Sequence, residues 1–503
     1  MSGSRRIQTV NFKLRRPSIV RKREVPKYQE TVVWVYGVGD KEKPRMLSPS
    51  VTLWRTWLLL IAVSVLLVAD VAARPNFVVI FTDDQTFRAI GYNNPVIKTP
   101  ELDKLARRGV VFQRAYVATP ICVSSRASIL TSLYPQQHES IALDRGGFET
   151  NVVQTGKYQT VAHLLSAAGY VTGFCGKSHL GDPQRYGFTD EKANRDIYDN
   201  ESFEYANAFL QARATDNQPF FLWIAPCQPH LPLLPDQKWL DWYSDTNFQV
   251  DGNWRESPPL ESFYNQGVPG EHFYRDSDYT RNHMNLSAGP PRSKAVIRDF
   301  MRAYYATISH LDHQIGRLAT QLSTSKLEDN TVIVFLSDNG YFLGNHGLGN
   351  KITMHEESVR VPMFIVDPHA PASGEQSDSL VSSLDVMPTI LEMADLPQPD
   401  YLMGKSLVPL LRDPELTVRD YVASECVGVD GKQGQGHRMV CGERFKYILS
   451  DTNEEALFDL RADPLEMVNL VSQQEDDTIL VQLRETMRQW MVQVGDDHPH
   501  PPP

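Results

Sequence analysis

From residue 76 onward the chain alternates between short apolar runs and longer stretches in which apolar residues recur every three or four positions. The first run, Asn76 to Phe81 (NFVVIF), is continuous, as suits a strand buried on both faces of a parallel sheet. Similar runs recur at Tyr170 to Cys175, Phe220 to Ala225, Thr331 to Leu336 and Val361 to Val366. Helical patterns lie between them, at Pro100 to Arg108, Ser125 to Leu133 and Thr160 to Ala168. The longest is Val296 to Leu322, where Ile297, Phe300, Met301, Tyr304, Ile308, Leu311, Ile315 and Leu318 keep helical spacing. Strands alternating with helices predict an α/β domain over residues 74–410, built on a large mixed, mostly parallel sheet sandwiched by helices.

Two stretches depart from this pattern. Residues 236–292 are polar and aromatic, with Trp239, Trp242, Tyr243, Trp254, Tyr264, Phe273 and Tyr274. They are expected to form a long insertion over one edge of the sheet, its aromatics either packing the loop or stacking on sugar rings. From about residue 411, Tyr421 to Cys426, Arg438 to Cys441, Phe445 to Leu449 and Ala456 to Leu460 predict short strands of an antiparallel sheet. With a helix over Asp477 to Val492, residues 411–503 form a smaller C-terminal α+β domain that ends in a frayed tail from His498.

Ahead of the first strand, Trp57 to Val68 (WLLLIAVSVLLV) is too short to span a membrane and suits a signal-peptide core. Arg55 precedes it, and Val71-Ala72-Ala73 offers small residues for a cut after Ala73. Residues 1–73 are therefore expected to be a basic extension plus signal peptide, with Met46 as an alternative start. The mature chain is expected to be exported, to a periplasmic, extracellular or lysosome-like compartment, without stable membrane insertion; an uncleaved anchor is the other option.

The 503 residues exceed what one core usually serves, which agrees with two domains. The net charge is −11, but the first 45 residues carry +8 and residues 74–503 carry −19. An acidic body excludes bulk attraction to nucleic acid, so an anionic substrate needs local basic residues. Cys122, Cys175, Cys227, Cys426 and Cys441 lack metal-type CxxC spacing, and an odd number leaves at least one unpaired or modified. Cys426 and Cys441 either bridge or remain buried thiols.

Ligands of open α/β sheets bind beyond the carboxyl ends of the strands. Four predicted strands end in Asp83 and Asp84, in Lys177 and His179, in His230, and in Asp338 and Asn339. Asp83, Asp84, Asp338 and Asn339 offer oxygen donors alone, the set a hard cation such as calcium or magnesium takes. Cys122-Val123-Ser124-Ser125-Arg126 lies in a loop entering a helix, where free N–H groups and the dipole favour an anion and Arg126 adds a fixed charge.

These residues resemble the type I sulfatase family of the alkaline phosphatase-like superfamily. CVSSR followed by ASILT is similar to its C-x-P-S-R helix motif, with Ser124 in place of the proline. FTDDQ resembles its first metal motif, and TGFCGKSHLG its T-G-x-x-G-K-W-H-L-G with Ser178 in place of the tryptophan. QPHLP, SDNG, GLGNK, KSLVPLL and LFDLRADPLEMVNL follow in family order, so the likeness covers about residues 75 to 472.

The resemblance implies a sulfuric ester hydrolase whose Cys122 is oxidised to formylglycine by a maturation enzyme. A hydroxyl of the hydrated aldehyde would attack the ester sulfur. One calcium ion, with magnesium the weaker option, would sit on Asp83, Asp84, Asp338, Asn339 and the modified Cys122. Arg126 would hold the diol, Lys177 and Lys351 would bind sulfate oxygens, His230 would serve the leaving alcohol, and His179 would assist release of sulfate. His346 is a possible substrate contact. The expected substrate is a sulfated carbohydrate or other sulfate ester. The alternatives are a phosphonate or phosphodiester monoester hydrolase of the same superfamily and a non-catalytic glycan-binding relic.

Overall fold

A computed structural model describes residues 74–193, 199–216, 218–233, 235–265, 293–428, 435–473 and 478–497. The predicted signal sequence, Phe273, Tyr274 and the tail from His498 lie outside these residues.

Strand β1 (Asn76–Thr82) is buried along its whole length, and its side chains alternate between two cores. Phe77, Val79 and Phe81 enter one, while Val78 and Ile80 enter the other. That alternation is the two-residue period of a strand covered on both faces. The chain continues through α1 (Pro100–Ala106), β2 (Val110–Tyr116), α2 (Cys122–Thr131), α3 (Val161–Ala167), β3 (Val171–Gly176), β4 (Asp190–Ala193), α4 (Asn200–Arg213) and β5 (Phe220–Ala225). There follow α5 (Lys294–Thr324), β6 (Thr331–Ser337), α6 (Glu356–Val359), β7 (Met363–Val366), β8 (Gln376–Ser382) and α7 (Val386–Met393).

These strands form one sheet of order β8-β2-β7-β6-β1-β5-β3-β4. The pairs are parallel except those of β7, which runs antiparallel to both β2 and β6. Helices α4 and α5 cover one face through Phe203, Phe209, Leu210, Leu311, Ile315 and Leu318. Helices α2, α3 and α7 cover the other through Ile129, Leu130, Val161, Leu165, Met387 and Ile390. The predicted sandwich is thus observed.

The small sheet is antiparallel in chain order, from β9 (Val422–Cys426) through β10 (His437–Cys441) and β11 (Phe445–Ser450) to β12 (Glu455–Asp459). Helix α8 (Thr478–Val494) packs Leu480, Met487, Trp490 and Met491 on Val440, Tyr447, Leu449 and Leu457.

Several expectations are corrected. The strand expected over Val361 to Val366 is shorter and antiparallel. Among the described residues, the long insertion packs on a helix and the small sheet and not over an edge of the large sheet. Its described part lays Trp239, Tyr243 and Phe248 on Ile297, Phe300 and Tyr304 of α5, and reaches the small sheet, where the Ser262 hydroxyl donates to Ser450 Oγ at 2.7 Å. Trp239, Tyr243 and Tyr264 are buried, so they are core residues and offer no sugar platform. Cys441 faces Val422 and Cys426 faces His437, four positions apart on neighbouring strands. That separation is roughly 13 Å along the strand, whereas a disulfide needs Cα atoms within about 7 Å. None of the five cysteines forms a disulfide.

Candidate active site

The four strands whose ends carry the predicted chemistry are neighbours, in the order β6-β1-β5-β3. Parallel pairing places their carboxyl ends on one rim, and the register aligns Thr82 of β1 with Ser337 of β6. The Asp338 N–H then donates to the Thr82 carbonyl at 2.9 Å, and the Asp84 N–H to Asp338 Oδ1 at 3.1 Å. Asp83, Asp84, Asp338 and Asn339 are all buried. Asp84 has a left-handed backbone (φ 65°), and its carbonyl accepts from the Tyr304 hydroxyl at 2.5 Å.

Helix α2 meets this rim with its first residue, Cys122, rather than starting at Ser125 as expected. No side chain caps the helix, so its first N–H groups remain available to an anion beside the thiol. Ser125 fixes the approach by donating to the Asp338 carbonyl at 2.6 Å. One turn on, buried Arg126 donates from Nη2 to Asp83 Oδ2 at 3.1 Å and to Asp338 Oδ2 at 2.8 Å. Its Nη1 donates to the Lys177 carbonyl at 2.8 Å. Ser124 donates to the Ala142 carbonyl at 2.9 Å, a tie that proline could not make. Ser178 hydrogen-bonds the Tyr186 hydroxyl at 2.9 Å.

Lys177 pairs with Asp83 and Lys351 with Asp84. Burial lowers both lysine pKa values, but these carboxylates more than offset it and hold both ammonium groups above the usual lysine value. Both stay charged at neutral pH. Burial raises Asp83, yet Lys177, His230 and Arg126 hold it well below the usual carboxylate range. Asp338 is instead pushed up to about 7, by burial and by the neighbouring Asp83 charge. Burial pushes the Cys122 thiol up, with Lys351 and Lys177 opposing.

His230 Nε2 lies 3.9 Å from Asp84 Oδ2, and its Nδ1 contacts the Leu231 carbonyl at 2.7 Å. Burial and then Lys177 hold its pKa below the ordinary value, so it is neutral at pH 7. His179 sits two residues beyond Lys177 in the same loop, half-buried and left-handed (φ 61°). His346 is not a substrate contact. It is fully buried away from solvent, accepts from Asn253 Nδ2 at 3.1 Å and packs on the His355 ring at 4.6 Å.

A cation fits this donor set. Asp83 Oδ1 and Asn339 Oδ1 are buried and have no hydrogen-bond partner, although every other polar atom of the two side chains has one. Orphaned acceptors of this kind are costly unless they ligate something. An all-oxygen set favours calcium or magnesium over zinc.

Asp199 was missed by the sequence argument. Its carboxylate accepts from the N–H groups of Cys227 at 2.7 Å and Gln228 at 2.9 Å, clamping the loop that carries His230. A lone Asp ahead of a helix has the signature of an ordinary cap, and nothing local marks its long-range role.

Known proteins resemble this chain over most of its length. The sulfatase family model matches residues 75–396, and the model of the N-sulphoglucosamine sulphohydrolase C-terminal region matches residues 344–493. An arylsulfatase of Clostridium perfringens is 29% identical over 80% of this chain and 91% of its own length. An N-acetylglucosamine-6-O-sulfatase of Bacteroides thetaiotaomicron is 28% identical over 85% and 88%. A solved structure holding its substrate D-glucosamine-2-N,6-O-disulfate superposes with a TM-score of 0.74 at 25% identity, covering 84% of this chain and 99% of that one.

Proposed function

The chain belongs to the sulfatase family and is a sulfuric ester hydrolase, and from that premise we propose that it cleaves sulfate esters of carbohydrates with formylglycine made from Cys122 and one bound calcium ion. One observation carries the reading. Three carboxylates, an amide, an arginine and two lysines from distant parts of the chain converge beside Cys122 at an uncapped helix start.

Asp83, Asp84, Asp338, Asn339 and the modified Cys122 would hold the calcium, which would stabilise negative charge on the transferred sulfuryl group. Formylglycine, as its hydrate, would supply a nucleophilic oxygen whose second hydroxyl permits release by C–O cleavage. Arg126 fixes the position of Asp83 and Asp338, and with them the height of helix α2 against the rim. Lys177 and Lys351, charged and nearly dry, would bind sulfate oxygens, where a fixed charge in a water-poor site acts most strongly. His230, held over Asp84 by its loop, would polarise the leaving alcohol or, in its imidazolium form, protonate it, so this step would gain as pH falls. The carbohydrate substrate is supported by the named sugars of the relatives, and export by the apolar run Trp57 to Val68 with the small residues after it.

The test is mass spectrometry of the peptide holding Cys122 together with turnover of p-nitrophenyl sulfate, phosphate and phosphonate. Formylglycine appears as a loss of roughly 18 Da from the cysteine residue, one rung of thiol oxidation chemistry. An intact thiol in active protein, or a clear preference for the phosphorus esters, would refute the proposal.

A further inference from the structure

Ser358 is fully buried on the single turn α6, and its two oxygens serve two different loops. Its carbonyl accepts from the Gly340 N–H at 2.8 Å, immediately after the metal-side residues Asp338 and Asn339. Its hydroxyl accepts from the Ile352 N–H at 2.9 Å, immediately after Lys351. The second contact carries a strained segment. Asn350 (φ 61°) and Ile352 (φ 96°) both have positive φ, so Lys351 sits between two left-handed residues, one of them β-branched. Such backbone persists only where its surroundings over-determine it, and each such residue costs on the order of 1–3 kcal/mol.

The support itself is rigid. The Glu356 N–H at the start of α6 donates to Glu466 Oε2 at 2.7 Å. Gly340 lies so close to α6 that a Cβ would sit 2.0 Å from the Glu357 carbonyl oxygen. The helix therefore acts as a wedge between the loop of Asn339 and the loop of Lys351.

We propose that Ser358 is a positioning residue for the reaction: its hydroxyl fixes the strained loop that aims Lys351 at the sulfate, while its carbonyl separately fixes the loop of Asn339. The inference rests on the sulfate-binding role assigned to Lys351 above. It makes a split that general loosening does not produce. Ser358→Ala removes the hydroxyl and keeps the carbonyl that holds the loop of Asn339, so the anion site suffers far more than the cation site, which feels the change only through the Lys351–Asp84 pair.

The experiment is calorimetric titration of the full-length protein with inorganic sulfate and, separately, with calcium, alongside steady-state turnover of p-nitrophenyl sulfate. Ser358→Ala is expected to bind sulfate about tenfold more weakly and to lose a similar factor in kcat/KM. Its calcium affinity should stay within about twofold of wild type. Ser309→Ala is the control. It removes an equally buried hydroxyl that bonds Tyr243 and the Lys98 carbonyl, and it should leave both affinities unchanged. Unchanged sulfate affinity in Ser358→Ala, equal weakening of sulfate and calcium, or the same sulfate loss in Ser309→Ala overturns the proposal. Should Ser358→Ala not fold, Ser358→Cys, of similar volume and a weak acceptor, is read by the same criteria. Wild type that neither binds sulfate nor turns over the ester defeats the sulfatase mechanism itself; failure confined to the variant defeats the role of Ser358 alone.

Discussion

Removing the buried ammonium of Lys446 tests how the small sheet supports the active-site loops. Lys446, on β11, is fully buried and lies 2.6 Å from Glu356 Oε1 and 2.8 Å from Glu466 Oε1. It also donates to the Met354 carbonyl at 3.1 Å. Burial raises Glu356, but Lys446 and Arg360 more than offset it and hold it at about 2. Burial pushes Glu466 up to about 8 against the pull of Lys446. Near pH 7 Lys446 and Glu356 therefore carry their charges, while Glu466 is biased toward its acid form. Lys446→Met leaves a buried carboxylate without its main partner, a change that costs about 3–5 kcal/mol. Arg360, with Nη1 at 3.1 Å from Glu356, still faces that charge and places the expectation at the low end, about 3 kcal/mol. Unfolding entropy of about 2.1 cal/mol/K per residue, over the roughly 430 residues from Asp70 to Pro503, gives about 0.9 kcal/mol per degree. The expected fall in Tm is about 3 °C by differential scanning calorimetry at pH 7. Adding Glu356→Gln removes the stranded charge and should recover at least half of the loss. A Lys446→Met midpoint within about 1 °C of wild type, or a double variant less stable than the single one, would refute the reasoning.

Chelation of calcium with EGTA is expected to abolish turnover and lower Tm by about 3 °C, the effect of losing a ligand held at about 100 times its Kd; calcium should restore both better than magnesium does, and indifference to EGTA would count against the cation. Burial, opposed only weakly by local hydrogen bonds, lowers His138 to about 3, and burial lowers His437 to about 4. Because the unfolded chain takes these protons first, near pH 6.5, the stability is complete above that pH and is lost as pH falls toward 3 to 4, by roughly 1.4 kcal/mol per pH unit for each histidine. Other buried groups, His346, His355, Glu425 and Glu466 among them, titrate alike in both proteins, so urea unfolding between pH 7 and 5 should show His138→Gln with a slope smaller than wild type by one histidine's share; equal slopes would contradict the assignment.

The central strands were legible because burial on both faces leaves a continuous apolar run, and the residues closing those runs proved to be the site. The edge strands were not. Asp190–Ala193 (DEKA) and Gln376–Ser382 (QSDSLVS) carry polar residues that face water and discourage pairing with other chains, so no hydrophobic pattern marks them. In β2, an interior strand, Gln113 and Arg114 interrupt the run because they are only half-buried. Groups that act through the backbone of remote segments also leave no local trace. Asp199, Tyr304 and Ser358 hold loops 28, 220 and 6 residues away through one or two side-chain hydrogen bonds each. The fate of Cys426 and Cys441 depended on strand register, which their spacing along the chain does not reveal.

The charges at the rim explain why an acidic protein can take an anion there. Asp83, Asp84 and Asp338 face Arg126, Lys177 and Lys351, a formal balance of zero among the buried side chains. The balance is imperfect, since Asp338 is pushed up to about 7, by burial first and then by Asp83. A dication on the three carboxylates would relieve that repulsion and leave the site at a formal +2. A sulfate monoester brings one negative charge, and departing sulfate carries two. Attraction would then grow in the release step, when C–O cleavage of the sulfated nucleophile sets sulfate free, the condition under which binding energy accelerates a reaction instead of only holding its substrate. A phosphate monoester dianion would meet its full match already on binding, with less left to gain in the transition state. The same six side chains would thus favour sulfate turnover over phosphate turnover through the timing of charge, without any contact that tells sulfur from phosphorus.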